Sequence, residues 1–158
     1  MKEKIKENIL EKVISKFKLP LNINIKRVGI DIGSDNLKAV VIDVKGITTY
    51  LKKINRRPIY ALKEILDEII TKHGNEAYLG ITGVNSIYLS DVLNEKQIIS
   101  ESITIKEGIA FLDSDIKENG EFAVIDIGAS NQRYYEFVKD KNSGRLILEH
   151  MRFYQSNQ

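Results

Sequence analysis

The sequence contains no cysteine, and this absence excludes several kinds of site at once. A disulfide bond, a thiol nucleophile and a metal or iron–sulfur cluster held by cysteines of this chain are all ruled out. Histidine is also scarce, since His73 and His150 lie 77 residues apart and neither has a partner at metal-ligand spacing. We therefore expect no metal or catalytic role for either histidine.

Long apolar runs are missing as well. No segment approaches the roughly 18 apolar residues of a membrane span, and the start lacks the apolar core of a secretory signal. The net charge is only +2, without the concentration of Lys and Arg on one element that marks a nucleic-acid surface. The sequence predicts a cytoplasmic protein that binds neither membranes nor nucleic acid.

A short pattern occurs twice in these 158 residues. The segment 30–34, IDIGS, returns 95 residues later as the segment 125–129, IDIGA. Each copy is an apolar strand that ends in Asp-x-Gly and leads into a second strand. We expect two strand-turn-strand hairpins that face one phosphate-bearing ligand.

The remaining pattern is that of an α/β protein, with β-branched runs, short turns and apolar positions at helical spacing. The spacing of the apolar residues within 59–70 predicts a helix with Gly74 in its C-cap region. Helices are also expected over 87–93 and within 98–112. A polar loop is expected over 113–120. The predicted strands cover residues 26–32, 37–44, 47–54, 76–82, 121–128, 134–139 and 145–153.

Residues 1–26 stand apart from this pattern. Apolar side chains at Ile5, Ile9, Val13 and Phe17 fall on one face of a predicted helix over residues 3–17, which Pro20 ends. The opposite face is rich in lysine but alternates with glutamate, which weakens attraction to anionic lipid. We expect this amphipathic helix to dock on its own domain, on a partner or on another copy of the chain.

The order of elements over residues 27–158 resembles the ribonuclease-H-like fold shared by actin, Hsp70 chaperones and sugar kinases. Three antiparallel N-terminal strands are followed by a crossover helix and a parallel strand, which predicts a mixed sheet with crossover helices. The resemblance implies an actin-like ATPase lobe, here the N-terminal lobe, with both Asp-x-Gly hairpins at the nucleotide cleft.

Asp-x-Gly is chemically suited to phosphate and magnesium. The glycine permits a tight turn whose N–H groups can bind anionic oxygens, and the carboxylate can hold hydrated Mg²⁺ through its waters. Carried over by position, the resemblance implies that Asp31 and Asp126 are catalytic residues that lie near the metal. The implied phosphate contacts are Gly33, Ser34, Asn36 and Lys38 in the first hairpin and Gly128 in the second.

Four segments narrow the resemblance further. IDIGSDNLKAVVID, ITG at 81–83, ISE at 99–101 and AVIDIGASNQR are similar to segments of the activator ATPases of 2-hydroxyacyl-CoA dehydratases and benzoyl-CoA reductases, the BadF/BadG/BcrA/BcrD-type or CoA-substrate-specific enzyme activases. The resemblance implies an ATP-driven electron donor, homodimeric, that acts on a dehydratase-type partner. Glu101 either orients a water or ligand from a helix start or interacts with the helix dipole there.

The sequence also departs from that family. Asp35 stands where the family has a hydroxyl residue, Asn131 replaces an acidic residue and Ala129 replaces a glycine. The cluster cysteines belong to the family's second half, so no iron–sulfur cluster is expected in this chain, and we expect the C-terminal lobe to be missing and the chain to be inactive alone. Two alternatives are a degenerate, non-catalytic interaction or regulatory module of the same fold and an actin-like assembly protein.

Overall fold

A computed structural model describes residues 26–89, 97–112, 120–129 and 131–155. The helix expected over residues 3–17 lies outside the described residues, as do nearly all of the following linker and of the loop expected over 113–120. Contacts divide the chain into two compact units, residues 1–99 and residues 100–158, which are described separately. The expectation that residues 27–158 form one lobe stays a prediction.

The first unit contains a four-stranded mixed sheet in the order β3-β2-β1-β4. Strand β1 pairs antiparallel with β2 and parallel with β4, and β2 pairs antiparallel with β3. The predicted three-strand meander followed by a parallel fourth strand is confirmed. The strands are β1 (Arg27–Ile32), β2 (Asn36–Asp43), β3 (Gly46–Lys53) and β4 (Tyr78–Thr82).

Helix α1 (Pro58–His73) provides the crossover between β3 and β4. Proline at the first helical position suits the start, because its missing N–H would have no partner there. The helix ends at Gly74, where φ is 78° and the backbone N–H donates to the carbonyl of Ile70 at 2.8 Å. Both the apolar stripe and the glycine C-cap predicted from the sequence are confirmed.

The core of this unit lies between α1 and one face of the sheet. Alternate residues of β1 and β2 point into it, which is the period of two that a half-buried strand shows. Each large aliphatic side chain buried in this way contributes roughly 1.5–3 kcal/mol. The fully buried members include Ile30, Ile32, Leu37, Leu62, Leu66, Ile69 and Ile81.

Beyond β4 the chain makes a short 3-10 turn over Ser86–Leu89 and returns to the sheet edge, where Ile98 bridges to Ile81 in a parallel sense. The short helix expected over residues 87–93 is therefore a 3-10 turn in its described part, and residues 90–93 lie outside the description. In the described part of the chain, no helix has the length and apolar character that crossing a membrane requires.

The second unit contains α2 (Glu101–Leu112) and an antiparallel sheet in the order β5-β6-β7. The strands are β5 (Glu121–Ile127), β6 (Asn131–Lys139) and β7 (Leu146–Gln155), with a register shift between Glu136 and Phe137. Tyr135 and Phe137 are fully buried, and the Phe137 ring stacks on that of Phe122 with centroids 5.5 Å apart. The helix predicted within residues 98–112 is confirmed.

A three-residue polar contact joins the end of α1 to the β2–β3 hairpin. His73 Nδ1 lies 3.0 Å from Asp43 Oδ2, and His73 Nε2 lies 2.9 Å from the hydroxyl of Tyr50. The hydrogen bond to His73, together with one from the N–H of Lys45, lowers the pKa of the Asp43 carboxyl. The ionised carboxylate therefore stabilises this end of the unit.

We expect Asp43→Asn to lower the unfolding midpoint at about pH 7 and to have little effect at about pH 2. The pKa of Asp43 in the folded state lies below its ordinary value of 3.8, so the contribution of the carboxylate is fully present above that value and is lost as pH falls through the folded pKa. Urea unfolding at both pH values measures this. A loss of the same size at both pH values would show that the carboxylate charge is not responsible.

Candidate functional site

The first Asp-x-Gly turn closes tightly at the end of β1. The N–H of Gly33 donates to the carbonyl of Asn36 at 3.1 Å, and a Cβ built on Gly33 would lie 3.0 Å from that same oxygen. Asp31 stands opposite Lys38 in the β1–β2 register, and its Oδ2 lies 3.3 Å from Lys38 Nζ. The side chains are 36% and 64% exposed, so an incoming anion can reach both.

The segment after β4 supports this turn from one side. The N–H of Asn85 donates to the carbonyl of Ile32 at 3.1 Å, and its side-chain amide donates to the carbonyl of Gly33 at 2.6 Å. Gly83 has a φ of 101°, and a Cβ there would come within 2.6 Å of Asp31 Oδ1. Only a glycine allows the backbone to pass so close to this carboxylate.

The tip of the first turn is exposed at Ser34 and Asp35. The backbone carbonyl of Asp35 accepts a hydrogen bond from the N–H of Ile54 at 2.8 Å, which ties the tip to the end of β3. The side-chain amide of Asn36 lies 3.4 Å from the Asp35 carboxylate. The tip therefore presents the Ser34 hydroxyl beside the Asp35 carboxylate, whose negative charge would repel a phosphate bound there.

A buried hydroxyl next to Asp31 has no hydrogen-bond partner among the described residues. Thr82 pairs with Asp31 in the parallel β1–β4 register, so both side chains lie on the same face of the sheet. The Oγ1 atom of Thr82 is inaccessible to solvent and unpaired within the described ranges. Such groups are uncommon in folded proteins, which makes Thr82 a candidate ligand contact that the sequence did not indicate.

The second Asp-x-Gly turn has the same construction. The N–H of Gly128 donates to the carbonyl of Asn131 at 2.8 Å, and a Cβ on Gly128 would lie 3.2 Å from that oxygen. Asp126 stands opposite Arg133, as Asp31 stands opposite Lys38. The repeat found in the sequence is thus a repeat of register, turn hydrogen bond and cross-strand ion pair.

The cations of the two hairpins nevertheless have different surroundings. Arg133 Nη2 lies 2.6 Å from Glu101 Oε2, and its Nη1 lies 3.0 Å from Glu101 Oε1 and 3.2 Å from Asp126 Oδ2. The guanidinium carbon is 5.5 Å from the centre of the Phe153 ring, and the side chain is only 11% exposed. We call Arg133, Glu101, Asp126 and Phe153 the Arg133 cluster.

Electrostatics keep the Arg133 guanidinium charged. Burial opposes the charge of Arg133, but the nearby Glu101 charge and the hydrogen bonds to Asp126 and Glu101 outweigh it and raise the pKa of the guanidinium. Burial also raises the pKa of the neighbouring Tyr135 hydroxyl, which keeps that group neutral. The two predicted catalytic carboxylates of this unit, Asp126 and Glu101, are therefore brought together by one fixed cation.

The fit to a nucleotide differs between phosphate and metal. The first hairpin offers an exposed lysine and a tight glycine turn, and the neighbouring strand β4 offers the buried Thr82 hydroxyl, all of which suit phosphate oxygens. Among the described residues no group of three or more His, Asp or Glu side chains is arranged to hold a metal ion. The metal roles assigned to Asp31 and Asp126 stay predictions.

Two contacts of the site could not be predicted from sequence motifs. Gly83 belongs to the family-like ITG segment, but the segment does not predict its close approach to Asp31, which explains why the residues after β4 begin with glycine. The bond between Arg133 and Glu101 joins residues 32 positions apart. A signal for it does exist, since Glu101 and Arg133 both belong to segments that resemble the activator family.

We expect Gly83→Ala to destabilise the first unit by about 2–4 kcal/mol, since it combines a left-handed φ with overpacking against Ile32 and Asp31. Gly29→Ala is the matched control, because no described atom lies within 4 Å of its Cβ position and its φ is not strained. Urea unfolding of both variants measures the difference. Equal stability of the two would contradict the close approach at Gly83.

We expect Arg133→Gln to destabilise the protein by about 2 kcal/mol, because it leaves two partly buried carboxylates without a counter-charge. Arg133→Lys should recover only part of the loss, since an ammonium cannot pair with Glu101 through two parallel hydrogen bonds. Adding Glu101→Gln to Arg133→Gln returns the net charge of the three groups to its original −1 and should reduce the loss. A glutamine variant as stable as the wild type would show that the cluster contributes nothing to folding.

No family model and no curated protein sequence matches this chain. Solved structures do match. The (R)-2-hydroxyglutaryl-CoA dehydratase component A of Acidaminococcus fermentans superposes with a TM-score of 0.58 at 21% identity, over 84% of this chain and 48% of that one. The activator of the 2-hydroxyisocaproyl-CoA dehydratase of Clostridium difficile, solved with bound ADPNP, gives 0.54 at 23% identity, over 84% and 46%.

A third structure is similar over the whole chain. The ethanolamine utilization protein EutJ of Carboxydothermus hydrogenoformans superposes with a TM-score of 0.52 at 14% identity, covering 100% of this chain and 62% of that protein. The chain spans about half the length of the dehydratase component A and of the dehydratase activator. At these identities the likeness concerns the fold, and it confirms the predicted α/β, actin-like ATPase architecture.

Proposed function

We propose that this chain binds the phosphates of ATP through its Asp-x-Gly hairpins, as the nucleotide-binding part of an ATP-dependent activator. The observation that supports this best is the repeated hairpin, in which an aspartate at a strand end faces a cation across the strand pair. A lone Asp-x-Gly turn is a common structural feature. Two turns with the same register and the same ion pair favour a shared function.

The first hairpin makes the direct phosphate contacts in this proposal. Lys38 leaves Asp31 to pair with a phosphate oxygen, while Ser34 and the buried Thr82 hydroxyl donate hydrogen bonds. Asp31 is the residue that would hold a hydrated Mg²⁺ ion through its waters, and such an ion would neutralise the phosphate charge. Gly33 keeps the turn small enough for this approach, and Asn36 closes it.

The second hairpin contributes Asp126, Gly128 and, through Arg133, Glu101. In the proposed catalytic role, Glu101 or Asp126 orients the water that attacks the terminal phosphate. Hydrolysis requires that one of these carboxylates leave Arg133, because a carboxylate bound to a guanidinium is a poor acceptor for the proton of water. We therefore propose that turnover needs protein surface outside residues 1–158, in a second lobe or a partner.

The activator proposal extends to partners. Two similar structures are activators or components of acyl-CoA dehydratases, and one of them contains ADPNP. By analogy we propose that this chain acts with a dehydratase-type partner protein and forms a homo-oligomer, within the cytoplasm. The iron–sulfur cluster that transfers electrons in such a system would be bound by another chain, because this chain has no cysteine.

The Arg133 cluster favours a second candidate, a non-catalytic interaction or regulatory module. Its guanidinium already satisfies both carboxylates to which the catalytic proposal assigns roles. Asp35 adds a negative charge at the tip of the first turn, and Asn131 removes one from the second. A module of this kind keeps the fold and the ion pairs but does not bind nucleotide.

Titration of the chain with ATP and Mg²⁺, followed by calorimetry, distinguishes the two candidates. We expect binding to the wild type and a loss of at least tenfold in affinity for Asp31→Asn, because the carboxylate no longer orients the metal waters. Thr82→Val should also weaken binding without lowering stability, since it removes only an unpaired hydroxyl. The control is Asp140→Asn, whose carboxylate accepts hydrogen bonds only within its own turn.

Absence of binding to the wild type would reject the nucleotide proposal and leave the interaction module. Binding that Asp31→Asn and Thr82→Val leave unchanged would place the nucleotide elsewhere on the chain. The expected rate of hydrolysis by these 158 residues alone is at the background level, and a substantial rate would refute the requirement for further protein surface.

A further inference from the structure

The end of β3 and the turn that leads from it into α1 concentrate positive charge. Four of the six residues 52–57 are basic, Lys52 and Lys53 at the end of β3 and Arg56 and Arg57 in the turn, in a chain whose net charge is +2. Lys52 forms an ion pair with Glu64 of α1. Lys53, Arg56 and Arg57 are exposed and have no carboxylate partner within the described ranges, so their charges are not neutralised there.

The backbone holds this turn in a defined shape. Asn55 and Arg56 have φ values of 47° and 60°, a left-handed conformation that is uncommon for an arginine. The turn is fixed by the N–H of Ile54, which donates to the Asp35 carbonyl at 2.8 Å, and by the N–H of Arg57, which donates to the Ile54 carbonyl at 2.8 Å. Buried Ile54 anchors it to the core, so the basic side chains project from a fixed base.

A cavity of about 400 Å³ lies beside these side chains. Lys52, Lys53 and Arg57 line one part of it, and Tyr60 and Glu64 from the first turns of α1 line another. The volume falls within the usual range of small-molecule sites. Tyr60 is 44% exposed and offers a flat apolar ring beside the cations.

The start of α1 strengthens the positive potential at this place. Its first turn contains no acidic residue, and Arg57 makes no side-chain capping hydrogen bond. The positive end of the helix dipole is therefore not compensated locally. Cations, an uncompensated helix start and a concave surface act in the same direction, which is attraction of a compact anion.

We propose that the cavity of Lys52, Lys53, Arg57 and Tyr60 is a binding site for a small phosphate-bearing molecule. Arg57 and Lys53 bind the phosphate oxygens, with the guanidinium able to contact two of them at once. Tyr60 packs on the remainder of the ligand, and Glu64 accepts a hydrogen bond from it. Long nucleic acid is disfavoured, since an open pocket of this size holds only a compact group.

This site is separate from the Asp31 and Lys38 pair. Lys53 of β3 stands opposite Asn36 of β2 in the strand register, whereas Asp31 lies on β1. Two strand spacings, about 10 Å in all, divide the end of β3 from the end of β1. The proposal therefore does not depend on ATP binding at the first hairpin, although both sites lie at the same end of the sheet, where β1 and β3 finish.

Calorimetric titration of the full chain with pyrophosphate tests the proposal. We expect saturable binding to the wild type that weakens as salt increases, and a loss of about tenfold or more in Lys53→Gln/Arg57→Gln. Lys45→Gln/Lys141→Gln is the charge-matched control, because it removes two exposed turn lysines. Amide shifts within residues 52–61 report this site and shifts at residues 31–38 report the first hairpin, which separates this outcome from the fate of the ATP proposal.

Amide chemical shifts provide a second measurement that does not depend on the variants. Pyrophosphate should shift the N–H signals of residues 52–57 and 59–61 in the wild type; Pro58 has no N–H. No binding to the wild type, equal weakening by both double variants, or shifts confined to residues 31–38 would each overturn the proposal. The last two results would indicate general charge attraction and binding at the first hairpin, respectively.

Discussion

The register of β1 is the constraint on which the first unit depends. Side chains alternate between the two faces of a strand, so a slip of one residue would move Ile30 and Ile32 out of the core and turn Asp31 into it. Pairing with β2 on one side and β4 on the other prevents such a slip. The same alternation places Asp31, Lys38 and Thr82 together on the face away from the core, so packing and candidate chemistry have a common origin.

The second unit reaches the same local arrangement with a different core. Its sheet is covered by aromatic rather than aliphatic packing, with Tyr135 and Phe137 at its centre. The ion pair of Asp126 is joined there to Glu101, so two predicted catalytic residues and a cation form one partly buried group. Such a group stabilises a structure only while all its members remain, which gives the cluster a structural role beside any catalytic one.

How much could be predicted from the sequence depended on the range of each interaction. The hairpins, α1 with its Gly74 cap and the parallel β4 follow from local patterns, namely alternation, helical spacing and turn residues. The approach of Gly83 to Asp31 and the pairing of Arg133 with Glu101 require parts of the chain that are distant in sequence. The four basic residues within 52–57 form no recognisable binding motif in the sequence. Their arrangement in space depends on the left-handed conformations of Asn55 and Arg56, which only the structure shows.

The different cations of the two hairpins have a consequence for the time scale of motion. Lys38 is 64% exposed and has one weak partner, so it can change rotamer within nanoseconds and follow a ligand. Arg133 is held by two carboxylates and an aromatic ring, and it cannot turn without breaking all of these contacts together. One repeat thus contains a fast, adaptable element and the other a slow, fixed one, although both descend from the same pattern of residues.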